Sequence, residues 1–267
     1  MNEAQLIAAG LAWAVLAAIV QALWFRQRKT GNAGVIDPAW TAGVGGVGVL
    51  LAALGDGWGP RRWLAAALIG LWSGRLLSHL LQRMRREGSE DGRYAQMRKA
   101  KGEGFDAWLL PFFHVQALLA VLLAAVVALA ANAPDPSWGV TDVLAVLFWV
   151  ISITGEAIAD RQLERFRSDP SNKGRTCREG LWRFSRHPNY FFEWLHWFAY
   201  PLLAWGTPWG WLAWLAPAGM LLLVVKVTGI PPTERRALES RPEDYRRYQC
   251  TTNAFFPGPP RPEEQCA

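Results

Sequence analysis

The sequence predicts an all-α, polytopic membrane protein: a seven-transmembrane helix bundle whose charged loops gather on one face. Three observations predict it. Apolar runs of about twenty residues recur along the 267-residue chain, each long enough to cross roughly 30 Å of hydrocarbon. Hydrophobic residues make up 51% of the chain and charged residues 19%. Basic residues concentrate in alternate connections, as cytoplasmic loops of membrane proteins require. The net charge of +6 therefore calls for no nucleic-acid partner. The expected partners are the lipid bilayer and a lipophilic small molecule, with no obligate protein partner evident.

The first apolar run, 4–25, lacks a basic leader and a small-residue cleavage site, and its charges (Arg26, Arg28, Lys29) follow it. It reads as a membrane helix rather than a signal peptide. Further spans fall near 35–55, 62–83, 107–131, 139–160, 189–206 and 209–229. Residues 1–255 read as one integral membrane domain, and the Pro-rich 256–267 as a disordered tail. The segments 26–33, 83–106 and 161–188 and the stretch after 230 hold 3, 7, 8 and 6 basic residues. The alternate connections hold only Arg61 and Arg62, with Asp56 and Asp135 nearby. This bias puts the N-terminus outside and the C-terminus in the cytoplasm. Cys177, Cys250 and Cys266 show no CxxC spacing, suggest no metal site and read as reduced.

The second span contains Gly43-Val44-Gly45-Gly46-Val47-Gly48, a literal GxGxxG. A dinucleotide loop needs a strand before it and a soluble βαβ unit around it, and neither is present. Close helix packing through Ala39, Ala42, Gly43 and Gly46 is the expectation. Asp37, in VIDPAW, is either an acid favoured by the helix dipole or a carboxyl group facing a cavity. The third span carries Arg75 and His79 at i and i+4, and a histidine there can deliver a proton. In the loop 83–106, EDGRYAQMRK reads as a solvated charge run with Tyr94 beside Arg93.

The fifth span ends with Glu156, Asp160, Glu164 and Arg167 on one face. They form either a salt-bridged exit turn or contacts for ribose hydroxyls and phosphates. The basic, aromatic stretch Cys177–Trp197 follows. Pro188 suits a first helical position, and the N–H groups there, among Arg178, Arg183, Arg186 and His187, predict an anion site. Asn189, Glu193 and His196 then line one stripe of an apolar helix. Polar groups at that depth face an interior, a cavity or a ligand. After the last span come Glu234, Arg235, Arg236, Tyr245, Arg246, Arg247 and Tyr248. They form either a lipid-attracted juxtamembrane helix or a segment folded back over the anion site.

No Ser-His-Asp set, HExxH, Walker loop or Cys/His cluster occurs, so no metal site is expected. A cationic, aromatic mouth opening on an intramembrane cavity suits a large anionic cofactor and a lipophilic substrate. Together, GEAIADRQLERFRSDPSNKG, GLWRFSRHPNYFFEW, the Tyr-x-x-Tyr tail, VIDPAW, GRLLSHLLQR and EDGRYAQMRK resemble the bacterial branch of the steroid 5α-reductase-like membrane family. RHPNY also recurs in sterol reductases and isoprenylcysteine carboxyl methyltransferases of the same superfamily.

The resemblance implies a bacterial inner-membrane enzyme that binds NADPH and reduces the C=C bond of an enone such as a Δ4-3-ketosteroid. An acid would meet the ketone oxygen as charge develops there. The family's cofactor residues match Asp160, Arg167, Arg178 and Asn189 here, with Tyr190 and Glu193 beside them. Arg186, His187, Arg235, Arg236, Tyr245 and Tyr248 complete the cofactor-binding set on this reading. The animal enzymes pair a Glu on the second helix with a Tyr on the third. The Glu position falls on Asp37, while the third helix reads Ser78-His79-Leu80, so His79 or Tyr94 is the expected substitute for the Tyr. The alternative is a methyltransferase using S-adenosylmethionine on an isoprenylcysteine or a lipid. A non-enzymatic lipid-binding or transport protein is a third class, though no internal repeat supports a transporter.

Overall fold

The computed structural model describes residues 1–88 and 90–262, without the side chain of Glu87. Every regular element among them is helical. Six helical stretches are long and apolar enough to cross a membrane, which makes this a multi-pass membrane protein: Glu3–Thr30, Ala33–Ala53, Gly59–Arg86, Gly92–Ala131, Val140–Ser168 and Gly210–Ser240. They cover six of the seven expected spans. The remaining one, 189–206, is two short helices instead, Pro188–His196 and Ala199–Leu203. Pro201 lacks an N–H for a helical hydrogen bond and stands in the first turn of Ala199–Leu203, where that loss is tolerated.

The chain divides into two compact units. The first comprises Met1–Ala145 and Tyr200–Ala216. It holds α1 (Glu3–Thr30), α2 (Ile36–Ala53), α3 (Gly59–Glu87), α4 (Gly92–Lys101), α5 (Phe105–Ala131) and the start of α6 (Val140–Ser168). A capping box closes the start of α1: the Asn2 side chain accepts from Gln5 N, and the Gln5 side chain accepts from Asn2 N. Gly31, at φ 68°, ends the helix in the left-handed region that glycine occupies without steric cost. Leu6, Ile7, Leu11, Val15 and Phe25 on α1 are each more than half exposed. A row of that kind would be unstable in water and is ordinary against lipid.

Helix α2 is the centre of this unit, and its glycines pack it tightly, though only Gly43 of the two expected glycines takes part. A Cβ on Gly45 would come within 2.2 Å of the Ser73 side chain on α3, and one on Gly48 within 3.0 Å of Ile69. Gly43 meets Leu16 of α1 at 3.0 Å, as expected, but Gly46 faces open space and Ala42 is exposed. The register is set by the contact face, which a run so rich in glycine does not reveal. At one end of the unit Arg61 and Asp142, both buried, form a bidentate ion pair at 2.7 and 2.8 Å. Arg61 also donates to the carbonyls of Asp135 and Ser137.

The second unit comprises Val146–Ala199 and Pro217–Ala267. It contains the rest of α6, α7 (Pro188–His196), most of α9 (Leu215–Leu222), α10 (Ile230–Ser240) and α11 (Pro242–Thr251), with α8 (Ala199–Leu203) at the boundary. Close approach recurs here: a Cβ on Gly155 would lie 2.4 Å from the Phe192 ring. Residues 256–262, at the start of the stretch expected to be disordered, have no regular structure but are pinned. Gly258 N donates to Phe184 O at 2.9 Å and Arg261 N to Thr251 O at 2.7 Å. Cys266 and the rest of 263–267 lie outside the described residues. Cys177 is free and buried. Cys250, expected to be reduced, is disulfide-bonded; the absence of a CxxC spacing says nothing about a bond between distant cysteines.

Candidate functional site

The first unit brings Asp37 and Tyr94 together. Asp37 opens α2, where the helix dipole favours an acid. Tyr94 lies in the first turn of α4, whose N-cap Asp91 accepts from Arg93 N. The Tyr94 hydroxyl donates to Asp37 Oδ1 at 2.9 Å, and Arg93 Nη2 donates to Asp37 Oδ2 at 2.6 Å. Tyr94 is buried among Ile36, Phe105, Leu109 and Phe113, and Gln116 Nε2 lies 3.5 Å from its oxygen.

Arg93 is itself held by Asp91 (Nε to Oδ1, 3.0 Å), and Asp91 accepts from Arg83 Nη2 at 2.8 Å. Burial opposes ionisation of Asp91, but the charges of Arg93 and Arg83 and the hydrogen bonds from Arg93 outweigh it and hold the carboxyl at about 2. A cleft of about 20 Å³ beside Asp37 is lined in part by Leu80, Arg83 and Met84 of α3. That is room for one water-sized atom. The third catalytic candidate, His79, is half-buried on α3.

The EDGRY stretch is therefore not the solvated charge run that the sequence suggested. Arg83, Asp91, Arg93, Asp37 and Tyr94 form one continuous set of polar contacts from α3 through α4 to α2. Opposite charges two residues apart, beside an aromatic ring, were the available signal. Glu90 and Arg98 make a second pair in the same stretch, at 2.8 Å.

In the second unit the helix start at Pro188 is as expected, but the anion that its flanking cations meet is the chain's own Glu234. Arg186 Nε donates to Glu234 Oε1 at 2.8 Å, the Tyr245 hydroxyl at 3.2 Å, and His187 Nε2 lies at 3.2 Å. Gln249 Nε2 donates to the other carboxylate oxygen at 2.8 Å. Burial pushes the His187 imidazole below its usual 6.5, against the upward pull of Glu234. Burial likewise raises the Tyr245 and Tyr248 phenols, with Glu234 and Tyr245 respectively the next causes, so both remain hydrogen-bond donors. Tyr248 donates to the carbonyls of Trp182 and Ser185.

Of the twelve cofactor candidates, Arg186, His187, Tyr245 and Tyr248 thus tie α10 and α11 to the 177–187 segment. Arg178 joins them through Asp244, at 3.0 Å. Asn189 Nδ2 donates to Asp160 Oδ1 at 3.2 Å, joining α7 to α6, and both residues are half-buried. The Tyr190 hydroxyl pairs with Thr233 Oγ1 at 3.1 Å. Glu193 accepts from Trp197 Nε1 at 3.4 Å. Arg167, Arg235 and Arg236 are exposed.

A carboxylate and a carboxamide can hydrogen-bond hydroxyl groups, and exposed guanidinium groups can meet phosphates.

The family described as "Protein of unknown function (DUF1295)" matches residues 23–252. An uncharacterized protein of Schizosaccharomyces pombe is 28% identical over 266 residues, a match covering 88% of this chain and 75% of the relative. No solved structure matches.

Proposed function

Since the chain belongs to the family described as protein of unknown function DUF1295, we propose that it is an NADPH-dependent oxidoreductase. On this reading it reduces the C=C bond of a lipophilic enone, with a Δ4-3-ketosteroid as the leading substrate. It lies in the bacterial inner membrane with the N-terminus outside and the C-terminus cytoplasmic, residues 189–206 supplying the seventh crossing. One observation carries the reading: a buried tyrosine hydroxyl held 2.9 Å from a carboxylate that an arginine fixes on its other oxygen. That pair occurs where the steroid 5α-reductase-like resemblance requires an acid, with Tyr94 of α4 in place of a tyrosine on α3.

NADPH, when bound, would supply a hydride for the β-carbon of the enone, and the ketone oxygen would take up the electron pair. In the reaction the Tyr94 hydroxyl gives up its bond to Asp37 and donates its one proton's hydrogen bond to that oxygen as charge develops, with Gln116 next to the phenol oxygen. Arg93 keeps Asp37 oriented and neutralised, and the α-carbon takes a proton from water to give the saturated ketone. Asp160 and Asn189 would hold ribose hydroxyls, and Arg167, Arg235 and Arg236 would meet phosphates.

The test is thermal stability of the detergent-purified protein with NADPH, NADH or S-adenosylmethionine, followed by NADPH oxidation with a panel of enones. A ligand at 100 times its Kd adds about 2.7 kcal/mol to the folded state, a measurable shift. Stabilisation by NADPH with enone-dependent oxidation supports the reading. Stabilisation by S-adenosylmethionine alone replaces it with the methyltransferase.

A further inference from the structure

A second cationic site lies where α6 ends. An open cleft of roughly 300 Å³ in the second unit is lined by residues that include Leu163, Phe166, Arg167, Lys173, Arg175 and Arg241. Four cations thus face one carboxylate, Asp169, and that carboxylate is engaged in the turn, where Oδ1 accepts from Ser171 N at 2.9 Å. The turn is built rather than loose. Asn172 Nδ2 donates to Phe166 O at 3.1 Å, Arg175 N to Asn172 O at 3.0 Å, and Gly174 takes φ 80°. Across the cleft, Arg241 Nε donates to Thr176 Oγ1 at 2.9 Å, which fixes its guanidinium. Neither Asp160 nor Asn189 lines this cleft.

The depth of the cleft points to its ligand. Helix α6 is 29 residues long, about 43 Å against roughly 30 Å of hydrocarbon. Apart from Asp142 and Glu156, its charges lie in the last nine positions, Asp160–Ser168, which places the end of the hydrocarbon near Asp160. At about 1.5 Å per residue, Leu163 to Arg167 stand roughly 5–10 Å beyond that level, at the lipid headgroups. Leu163 and Phe166 give the cleft an apolar wall, and the arginines and lysine supply charge for phosphate oxygens.

We propose that this cleft binds a phosphate group, either the headgroup of an anionic phospholipid or a soluble phosphate ligand. The proposal rests on the geometry of the cleft; Arg167 is the one cleft residue that the reductase reading also assigns, to the cofactor's phosphates, and Lys173, Arg175 and Arg241 belong to the cleft alone.

The test uses the full-length protein with two probes: inorganic pyrophosphate in detergent, and nanodiscs of phosphatidylcholine with or without phosphatidic acid. Thermal stability is followed for the wild type, for K173E/R175E and for R246E/R247E, a control with the same charge change at exposed positions outside the cleft. Saturable stabilisation of the wild type and the control is expected. In K173E/R175E the apparent affinity should fall at least about tenfold, two charge-assisted contacts being lost. A response to phosphatidic acid alone assigns the cleft to a headgroup, and a response to pyrophosphate assigns it to a soluble phosphate. No response to either probe, or an equal response in K173E/R175E, overturns the proposal. K173Q/R175Q carries the same comparison should the charge-reversed protein fail to fold.

Discussion

The hydroxyl of Tyr94 lies 2.9 Å from Oδ1 of Asp37, although 57 residues separate them in the chain. The contact exists because α4 turns back toward the start of α2, and because Arg93, the neighbour of Tyr94, takes the other carboxylate oxygen. On the proposed reaction, Tyr94→Phe and Asp37→Asn should each lower kcat about a hundredfold, the usual scale for losing an acid–base group. NADPH-induced stabilisation should be unchanged in both. Full turnover in Tyr94→Phe would remove the phenol from the mechanism.

The Asp160–Asn189 contact and the exposed Arg167 make the opposite prediction. Asn189→Ala or Arg167→Ala should weaken NADPH binding about tenfold, the value of one charge-assisted or polar contact, while Tyr94 and Asp37 keep their geometry. Equilibrium binding of NADPH to each variant is the measurement, and wild-type affinity in both would undo the assignment.

Two adjacent glycines of α2 should behave oppositely. Gly45→Ala places a methyl group 2.2 Å from Ser73 and forces α2 and α3 apart, at a cost of about 1–3 kcal/mol. Gly46→Ala meets nothing within 4 Å and should be neutral or stabilising by up to about 1 kcal/mol, the helix-propensity difference. Melting temperatures of the two variants in one detergent decide it.

Acid should act through Asp91. Its folded pKa is about 2 against an ordinary 3.8, so the folded state favours the ionised form. That stabilisation is complete above about pH 4 and is lost as the pH falls through about 2. It amounts to about 2 kcal/mol at most. Asp91→Asn should be less stable than the wild type at neutral pH, and the difference should shrink toward pH 2 in a pH-dependent unfolding series.

Removing one partner of the buried Arg61–Asp142 pair leaves an uncompensated charge. Asp142→Ala should therefore cost about 3–5 kcal/mol. Arg61→Met with Asp142→Leu should recover much of it, as measured by thermal unfolding of the single and double variants.

The spans were legible because apolar length is a property of the sequence itself. The one exception shows its cause: Asn189, Glu193, His196 and Pro201 interrupt the apolar run of 189–206. Asp37 and Tyr94 stand out singly as an acid at a span entrance and an aromatic residue in a basic loop. Their contact was not legible, since it depends on where α4 folds back. The same holds for Glu234. A glutamate in a basic tail looks like a solvated charge, and only the fold makes it the anion that Arg186, His187, Tyr245 and Gln249 share. The DPSNK turn was readable, but the cleft beside it needs Arg241, a residue distant in sequence.

The pinning of the 184–187 segment also sets an order of assembly. Arg186 donates to the carbonyls of Gln249 and Thr252, its own N–H reaches Asn253 O, and Ser185 Oγ reaches Phe255 O. A nascent chain has none of these acceptors until residues 249–255 have been synthesised, after α6 and α7. These contacts of the 184–187 segment thus form only after both stretches are present. A protein cut short before residue 249 would keep its long apolar helices yet lack the acceptors that hold this segment.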